Sequence, residues 1–558
     1  MLNSISFKFG SAVGQEPLEL PTPPSVTIFV GPNNSGKSQA LNEIRAAFAR
    51  GSCSGNILKD ASFIGFDAEG ALALLTELRD TLRPGEIEQQ DYAYIKTRST
   101  GGRQHVHTSI YLAALQAPQV AHQRHLMQQF AELYATHQIL SLDGPSRITL
   151  ISQQPRGDLK YPELPFARLL TDDMRRERLR KIIYESTGLY FALDASAGDQ
   201  LQVRFSEAQP PNERSLEDAT LDYMRAAAGV DRVSDGIKAF TGILVQLHAG
   251  DHKVITIDEP EAFLHPGLAF KLGKELARGA VEEGKLIFAS THSAQFLMGA
   301  ISSGALVNIV RLTYTGGIAT ARLLSNNQLR ILMQDPLLRS VGVLDGLFYS
   351  HVIVGEANAD RAFYQEVNER LLAQGDARGI PHALFLNADN KQTIPRIVEP
   401  LRKLGLPAAS VTDLDVLKDG GEEWTRQLKA SGLPSAEFQA YQNRRASVLS
   451  FLQNTNKNFK TEGGVGLLTG SELETASNLI EDLARYGLFV VPGGEVENWL
   501  SDLDIGRAKH TWLRDIFSKM GSDPTAATYV RPGAGDVWDF VGNIGIWLMA
   551  KNRRGIPL

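Results

Sequence analysis

One octapeptide near the N-terminus restricts the fold more than any other stretch of the chain. Gly31-Pro32-Asn33-Asn34-Ser35-Gly36-Lys37-Ser38 fits the pattern G-x-x-x-x-G-K-S. The apolar run Val26-Thr27-Ile28-Phe29-Val30 precedes it and reads as a buried strand; residues 38–47 follow it and read as a helix. Strand, glycine-rich turn and helix in this order make a cradle for phosphate. The glycines let backbone N–H groups curl around anionic oxygens, and the helix N-terminus favours the same charge. Lys37 is expected to reach the β- and γ-phosphates of a nucleotide and Ser38 to hold magnesium. Gly31, Asn33, Asn34, Ser35 and Gly36 line the loop.

A second apolar run, Val254-Ile255-Thr256-Ile257, ends in Asp258-Glu259. A carboxylate at a strand end can hold the water shell of magnesium, and a second beside it can orient the attacking water. Asp258 is expected in the first role and Glu259 in the second. A further buried strand, Leu286-Ile287-Phe288-Ala289-Ser290, lies beyond a helix that starts at Pro266 and carries Leu268, Leu272 and Leu276 on one face. Strand, helix and strand at this spacing form a parallel α/β crossover. Elsewhere, Arg147-Ile148-Thr149-Leu150-Ile151-Ser152 and residues 201–205 read as strands, and Ala208-Gln209-Pro210-Pro211-Asn212 as a loop. Residues 17–24 are a proline-rich approach, and 123–134 read as helix within a mixed segment that carries no clear motif.

The 558 residues exceed what one hydrophobic core supports. A fresh α/β pattern begins at Val352-Ile353-Val354, so the expected division is 1–345 and 346–558, with a helical, weakly patterned segment over about 50–230. The formal net charge of −6 gives no global positive field. A local basic face would be enough for nucleic acid, but the run Arg175-Arg176-Glu177-Arg178-Leu179-Arg180-Lys181 reads more simply as a solvated helix face. Cys53 is the only cysteine, which excludes a disulfide within the chain and leaves almost no basis for a cysteine zinc site. The first nine residues alternate like a strand and lack a signal-peptide core. No run of about 20 apolar residues exists, so the expectation is a soluble, cytoplasmic protein with no membrane partner.

The second half carries an acidic constellation. Glu356 and Asp360 follow the Val352–Val354 run, and Ala408-Ala409-Ser410-Val411-Thr412 leads to Asp413-Leu414-Asp415. In an extended segment, positions two apart face one side, so Asp413 and Asp415 are expected to point together. Carboxylates gathered at strand ends raise one another's pKa unless cations compensate them. Hard oxygen ligands select magnesium or manganese. Two such ions about 3.5–4 Å apart stabilise both the attacking and the leaving oxygen of a phosphodiester displacement.

With these motifs in view, the chain resembles the overcoming-lysogenization-defect (OLD) family, in which an ABC-type P-loop ATPase domain is fused to a Toprim-like parallel α/β domain. Asp258-Glu259-Pro260-Glu261-Ala262-Phe263-Leu264-His265-Pro266 looks like that family's Walker B and D-loop segment, and Ser290-Thr291-His292-Ser293 like its switch histidine. The resemblance implies that His292 senses the γ-phosphate. Val233-Ser234-Asp235-Gly236-Ile237-Lys238 resembles the ABC signature without the usual doubled glycine, which makes Ser234 and Gly236 nucleotide contacts. Gln153 or Gln154 is the candidate Q-loop glutamine. Glu356 and the Asp-x-Asp of Asp413 and Asp415 resemble the Toprim metal motif, with Asp360 a further ligand. The family's Glu is usually followed by Gly, whereas here Gly355 precedes and Ala357 follows. Asp419-Gly420, Gly494-Glu495-Val496-Glu497-Asn498-Trp499-Leu500 and Lys509-His510-Thr511-Trp512 look like later elements. From them the resemblance implies Glu495 and Glu497 as second-metal ligands and Lys509 as a charge on the scissile phosphate.

The family resemblance implies an ATP-dependent or ATP-regulated DNA endonuclease of anti-phage defence, using ATP, Mg²⁺ and, at the nuclease site, Mg²⁺ or Mn²⁺. It also implies a homodimer or higher oligomer joined through the ATPase heads, with DNA as partner; a second defence protein is a further candidate. Toprim folds also serve topoisomerases and primases, but the chain has little room for the tyrosine or template-handling modules those need. The rival reading is an ATP-driven clamp or sensor with a non-catalytic Toprim fold. A transporter ATPase leaves the acidic domain without a purpose.

Overall fold

The computed structural model describes residues 2–21, 25–53, 55–83, 85–97, 102–119, 124–340 and 342–556. Parts of the proline-rich approach (22–24) and the first residue of the expected 123–134 helix lie outside these. The chain forms two compact units, Met1–Asn326 and Asn327–Leu558. Between the last strand of the first sheet and the first strand of the second lie the helices Asn326–Gln334 and Pro336–Ser340 and a 3-10 turn, Val343–Phe348.

The first unit is built on strands β1 (Val26–Val30), β2 (Ile139–Leu142), β3 (Val254–Asp258), β4 (Leu286–Ser290), β5 (Val307–Thr315) and β6 (Ile318–Leu324). Their order across the sheet is β6-β5-β1-β4-β3-β2. All neighbours run parallel except the β5–β6 hairpin at the edge. The register places Asp258 beside Ser290 and Ser290 beside Phe29, so β1, β4 and β3 finish level with one another. Loops leaving these three carboxyl ends therefore meet, the usual ligand position in open parallel α/β sheets.

Helices α1 (Lys37–Arg50), α2 (Gly144–Thr149), α3 (Asp235–Ala249), α4 (Pro266–Glu282) and α5 (Ala294–Ser302) belong to the same unit. Leu268, Leu272 and Leu276 of α4 are all buried, as their spacing predicts. The expectation of a strand over 147–152 is corrected, because 144–149 form α2. Asp143 caps this helix in a reciprocal box with Ser146, and Pro145 sits in its first turn. These local signals outweigh the apolar alternation of Ile148 and Leu150. The basic run also departs from expectation. It lies in the helix Asp173–Thr187, but Arg176 and Arg180 are buried and share the buried carboxylate of Glu213 at 2.6 Å each.

The second unit has a parallel sheet of β7 (His351–Gly355), β8 (Ala383–Asn387), β9 (Ala408–Thr412) and β10 (Leu488–Val490), in the order β8-β7-β9-β10. Helix α6 (Asn358–Ala373) follows β7. A helical excursion between β9 and β10, with Trp424, Leu452 and Leu479, packs its own apolar cluster. The helices after β10 place Trp512 and Trp538 against Phe363 and Tyr364 of α6 in a second cluster. No helix among the described residues is long and apolar enough to cross a membrane.

Candidate functional site

In the first unit, the loop between β1 and α1 takes the shape its composition requires. Gly31, Asn34 and Gly36 all have positive φ, at 144°, 59° and 93°. At Gly31 an added Cβ would lie 2.0 Å from the carbonyl oxygen of Leu312 on β5, so no side chain fits there. Ser35 and Lys37 are buried while Asn33, Asn34 and Ser38 face outward. The Lys37 ammonium donates to the carbonyls of Gly31 (3.0 Å) and Pro32 (2.8 Å). Burial pulls its pKa down to about 8, against the opposing pull of Glu259, Asp258 and Glu261. A lysine so placed gains most from an anion that supplies the missing charge.

The level strand ends bring the second group of side chains to this loop. Ser38 Oγ donates to Asp258 Oδ1 at 3.0 Å, and Ser290 Oγ donates to the same oxygen. A hydroxyl and a carboxylate across this gap are the pair that would hold magnesium or its waters. Glu259 is half-exposed and has a left-handed backbone, φ 51°. For a non-glycine residue that conformation costs about 1–3 kcal/mol and needs support from its surroundings. His292 Nε2 lies 3.9 Å from Glu259 Oε1, and the His292 backbone N–H donates to Glu261 Oε1 at 2.8 Å. Burial, and then the Lys37 charge, lower the pKa of His292, so the ring stands neutral at physiological pH.

Ser234 caps α3 by accepting from the Ile237 N–H at 3.4 Å. Gly236 packs against the turn after β3, where an added Cβ would lie 2.6 Å from the Phe263 carbonyl oxygen. The glutamines fall elsewhere. Gln153 Oε1 accepts from Gln202 Nε2 at 3.4 Å and Gln154 Oε1 from the Phe166 N–H at 3.3 Å. Gln154 begins a two-residue strand of a small antiparallel sheet. Both side chains thus hydrogen-bond to residues outside the phosphate loop and the end of β3. Sequence reasoning also gives no role to Ser290 and Arg147. Arg147 is buried, and its Nη1 donates to the carbonyls of Asp258 (2.9 Å) and Glu259.

In the second unit, ligand oxygens of Glu356, Asp413 and Asp415 all lie within 4.8 Å of one another. The backbone reason differs from the expected one. The strand stops at Thr412, Asp413 opens a 3-10 turn over Leu414–Lys418, and Asp415 lies within that turn. The turn, rather than an extended segment, brings the two aspartates together. Glu356 Oε1 accepts from the Asp413 backbone N–H at 2.9 Å, tying β7 to β9 at their ends. Burial first, and then the Asp413 charge, push the Glu356 carboxyl up to about 8. The same two causes raise Asp360 to about 7. Asp360 lies outside the three-carboxylate group; it turns back to accept the Ala357 N–H at 2.9 Å, closing the first turn of α6.

Two lysines that no local motif reveals complete the cluster. Lys460 Nζ sits 2.8 Å from Asp413 Oδ2 and 3.0 Å from Asp415 Oδ2. Lys391 Nζ sits 3.2 Å from both Asp415 Oδ1 and Asp419 Oδ1. Burial would raise Asp415, but the hydrogen bond from Lys460 and the two ammonium charges hold it below the usual range. Asn498 Nδ2 donates to the Lys460 carbonyl at 3.0 Å, and Gly494, φ 115°, lies so near that an added Cβ would be 2.1 Å from that oxygen. Glu495 is buried and Glu497 half-buried. Burial raises both, and the Asp413 charge adds to it while Lys509 counters it. Both therefore lie within electrostatic reach of Asp413 and Lys460. Lys509 is exposed at the start of the helix Lys509–Met520. As a donor set, three carboxylates at this separation fit a hard divalent cation such as Mg²⁺ or Mn²⁺.

Residues 139–298 match the family described as "AAA domain, putative AbiEii toxin, Type IV TA system". That span runs from β2 to α5 and includes Arg147, Asp258, Glu259 and His292. No curated protein matches the chain. Solved structures similar to it include an SMC head bound to the C-winged helix domain of ScpA, at 15% identity and TM-score 0.35, covering 59% of this chain and 99% of that one. The SMC head domain from Thermotoga maritima is 14% identical with a TM-score of 0.29, covering 58% and 99%. Likeness at these scores carries no argument about function. The phosphate loop, the parallel sheet and the family match make the first unit an ABC-type P-loop ATPase domain, a class that works with ATP and Mg²⁺.

Proposed function

We propose that this ATPase drives or gates a metal-dependent DNA endonuclease carried by the second unit, whose fold we read as Toprim-like. On this reading the first domain spans about 1–345 and the second about 346–558. The observation that carries it is the convergence of Glu356, Asp413 and Asp415 oxygens within 4.8 Å at the ends of adjacent parallel strands. These carboxylates would hold Mg²⁺ or Mn²⁺, which supplies charge stabilisation at the oxygens of a phosphodiester under attack. Lys460, Lys391 and Lys509 supply positive charge close to where the phosphate would lie. In the ATPase, Lys37 and Ser38 bind the phosphates and magnesium, Asp258 holds the metal's water shell, and Glu259 orients the attacking water. His292 senses the γ-phosphate, and Ser234 and Gly236 complete the nucleotide site of a second copy in a head-to-tail dimer. Anti-phage defence is the biological setting this reading favours.

The test uses supercoiled plasmid with Mg²⁺ or Mn²⁺, with and without ATP, for the wild type and Asp413→Ala. Nicking or cutting by the wild type that Asp413→Ala loses is the expected result. One observation favours a second reading, an ATP-driven clamp or sensor whose second unit cuts nothing. Lys460 and Lys391 already pair Asp413, Asp415 and Asp419, so the chain itself offsets part of the cluster's negative charge. ATP turnover with no cleavage under any nucleotide condition would decide for the clamp.

A further inference from the structure

The turn after β3 holds its water-orienting glutamate in a conformation that its own sequence disfavours. Asp258-Glu259-Pro260-Glu261 contains no glycine, yet Glu259 has φ 51°. L-residues rarely adopt this region and do so only where surrounding contacts impose it. On one side the contact is ordinary: the Glu259 N–H donates to the Ser290 carbonyl at 3.0 Å, continuing the pairing with β4. On the other side both carbonyls of the turn converge on one guanidinium. Arg147 Nη1 donates to the Asp258 carbonyl at 2.9 Å and to the Glu259 carbonyl.

Arg147 is 2% exposed, and its bonds to Asp258 and Glu259 go to backbone carbonyls, whereas Arg176 and Arg180 pair with the Glu213 carboxylate. It comes from α2, 111 residues before Asp258, at the end of the neighbouring strand β2. The side chains of Glu261, Asp258 and Glu259 all contribute favourable charge at its position. A charge-assisted donor is among the strongest hydrogen-bonding groups available for two carbonyls. Both bonds come from one nitrogen, Nη1, whose two hydrogens lie in the rigid guanidinium plane, whereas a lysine ammonium rotates freely about its stem.

We infer that Arg147 is a positioning residue for ATP hydrolysis, clamping the Asp258 and Glu259 carbonyls so that the Glu259 carboxylate is held toward the water it orients. In this role Arg147 acts through the backbone of Asp258 and Glu259. The inference rests on the proposed role of Glu259, and its test separates the two.

ATP turnover and binding of a fluorescent ATP analogue are measured on the full chain carrying Glu259→Gln, Arg147→Met, Arg147→Lys, and the double change Arg147→Met with Glu259→Gln. Arg147→Met is expected to lower kcat by about tenfold or more while KM and analogue binding stay within about twofold, the pattern of an interaction needed only for the chemical step. Arg147→Lys keeps the buried charge, and with it the fold, but has no planar guanidinium to fix the direction of the two bonds. It is expected to lie between the wild type and Arg147→Met. The double variant is expected to be no slower than Glu259→Gln alone, because both changes disable one device. Normal kcat in Arg147→Lys and Arg147→Met overturns the inference, as does a double variant slowed by the product of the single effects. Wild-type turnover in Glu259→Gln would instead remove Glu259 from its role and leave Arg147 nothing to position.

Discussion

Replacing Lys460 by Met removes the ammonium from between Asp413 and Asp415 while keeping most of its apolar stem. At an effective dielectric of about 20, unit charges about 3 Å apart attract by about 5–6 kcal/mol. Desolvation of the three groups offsets much of that gain. The Lys460 side chain also keeps 18% exposure. A net loss of about 2–4 kcal/mol is therefore expected, at or below the usual cost of breaking a buried pair. For a unit of this size that lowers the melting temperature by roughly 4–16 °C. The assay is thermal unfolding of the full chain in EDTA, following the transition of the second unit, then repeated with millimolar Mn²⁺. In EDTA the variant should melt lower by this amount. Mn²⁺ should raise the variant more than the wild type, because the cation takes oxygens that Lys460 no longer contests. Equal melting in EDTA, or a metal-induced rise no larger than the wild type's, would refute the reasoning.

Lys37→Ala should abolish detectable ATP binding, measured by equilibrium titration with a fluorescent analogue; wild-type affinity would contradict the phosphate-loop geometry. Gly236→Ala forces a Cβ to within 2.6 Å of the Phe263 carbonyl. The overpacking should destabilise the first unit by about 1–3 kcal/mol in urea unfolding, and an unchanged midpoint would show the helix can shift freely. The pH dependence of the metal-free second unit follows from Glu356, raised from 4.5 to about 8, and Asp360, raised from 3.8 to about 7. Between these values the folded unit keeps protons that the unfolded chain releases, so stability should fall as pH rises from about 5 to about 8 and level off beyond. Glu356→Gln should flatten that slope; a slope unchanged by the substitution, or stability rising over this window, would contradict the burial argument.

The parts of both sites that were legible in the sequence are those encoded in contiguous stretches. The phosphate loop announces itself because the glycines, Lys37 and Ser38 share one turn between a strand and a helix. Asp258 and Glu259 are readable because a parallel strand buried on both faces is an uninterrupted apolar run, which makes its polar end conspicuous. The convergence of Asp413 and Asp415 is also legible, although a 3-10 turn produces it. What stays hidden depends on chain return. Arg147 meets Asp258 from 111 residues away, and Lys460 meets Asp415 from 45 residues away through a helical excursion. Neither carries a local pattern. Ile148 and Leu150 alternate as a strand would, and only the Asp143 cap and Pro145 speak for the helix that forms. Charge runs mislead in a related way, since Glu213, the partner that buries Arg176 and Arg180, lies more than thirty residues downstream.

The most direct test of the account is the number of Mn²⁺ ions bound per chain, titrated by electron paramagnetic resonance in the wild type and in Asp413→Ala. Tight binding in the wild type that Asp413→Ala loses, with the ATPase retained, is the predicted result. Identical Mn²⁺ binding in the two proteins once the nucleotide site is blocked by Lys37→Ala would contradict it, and the carboxylates would then be a lysine-paired structural cluster.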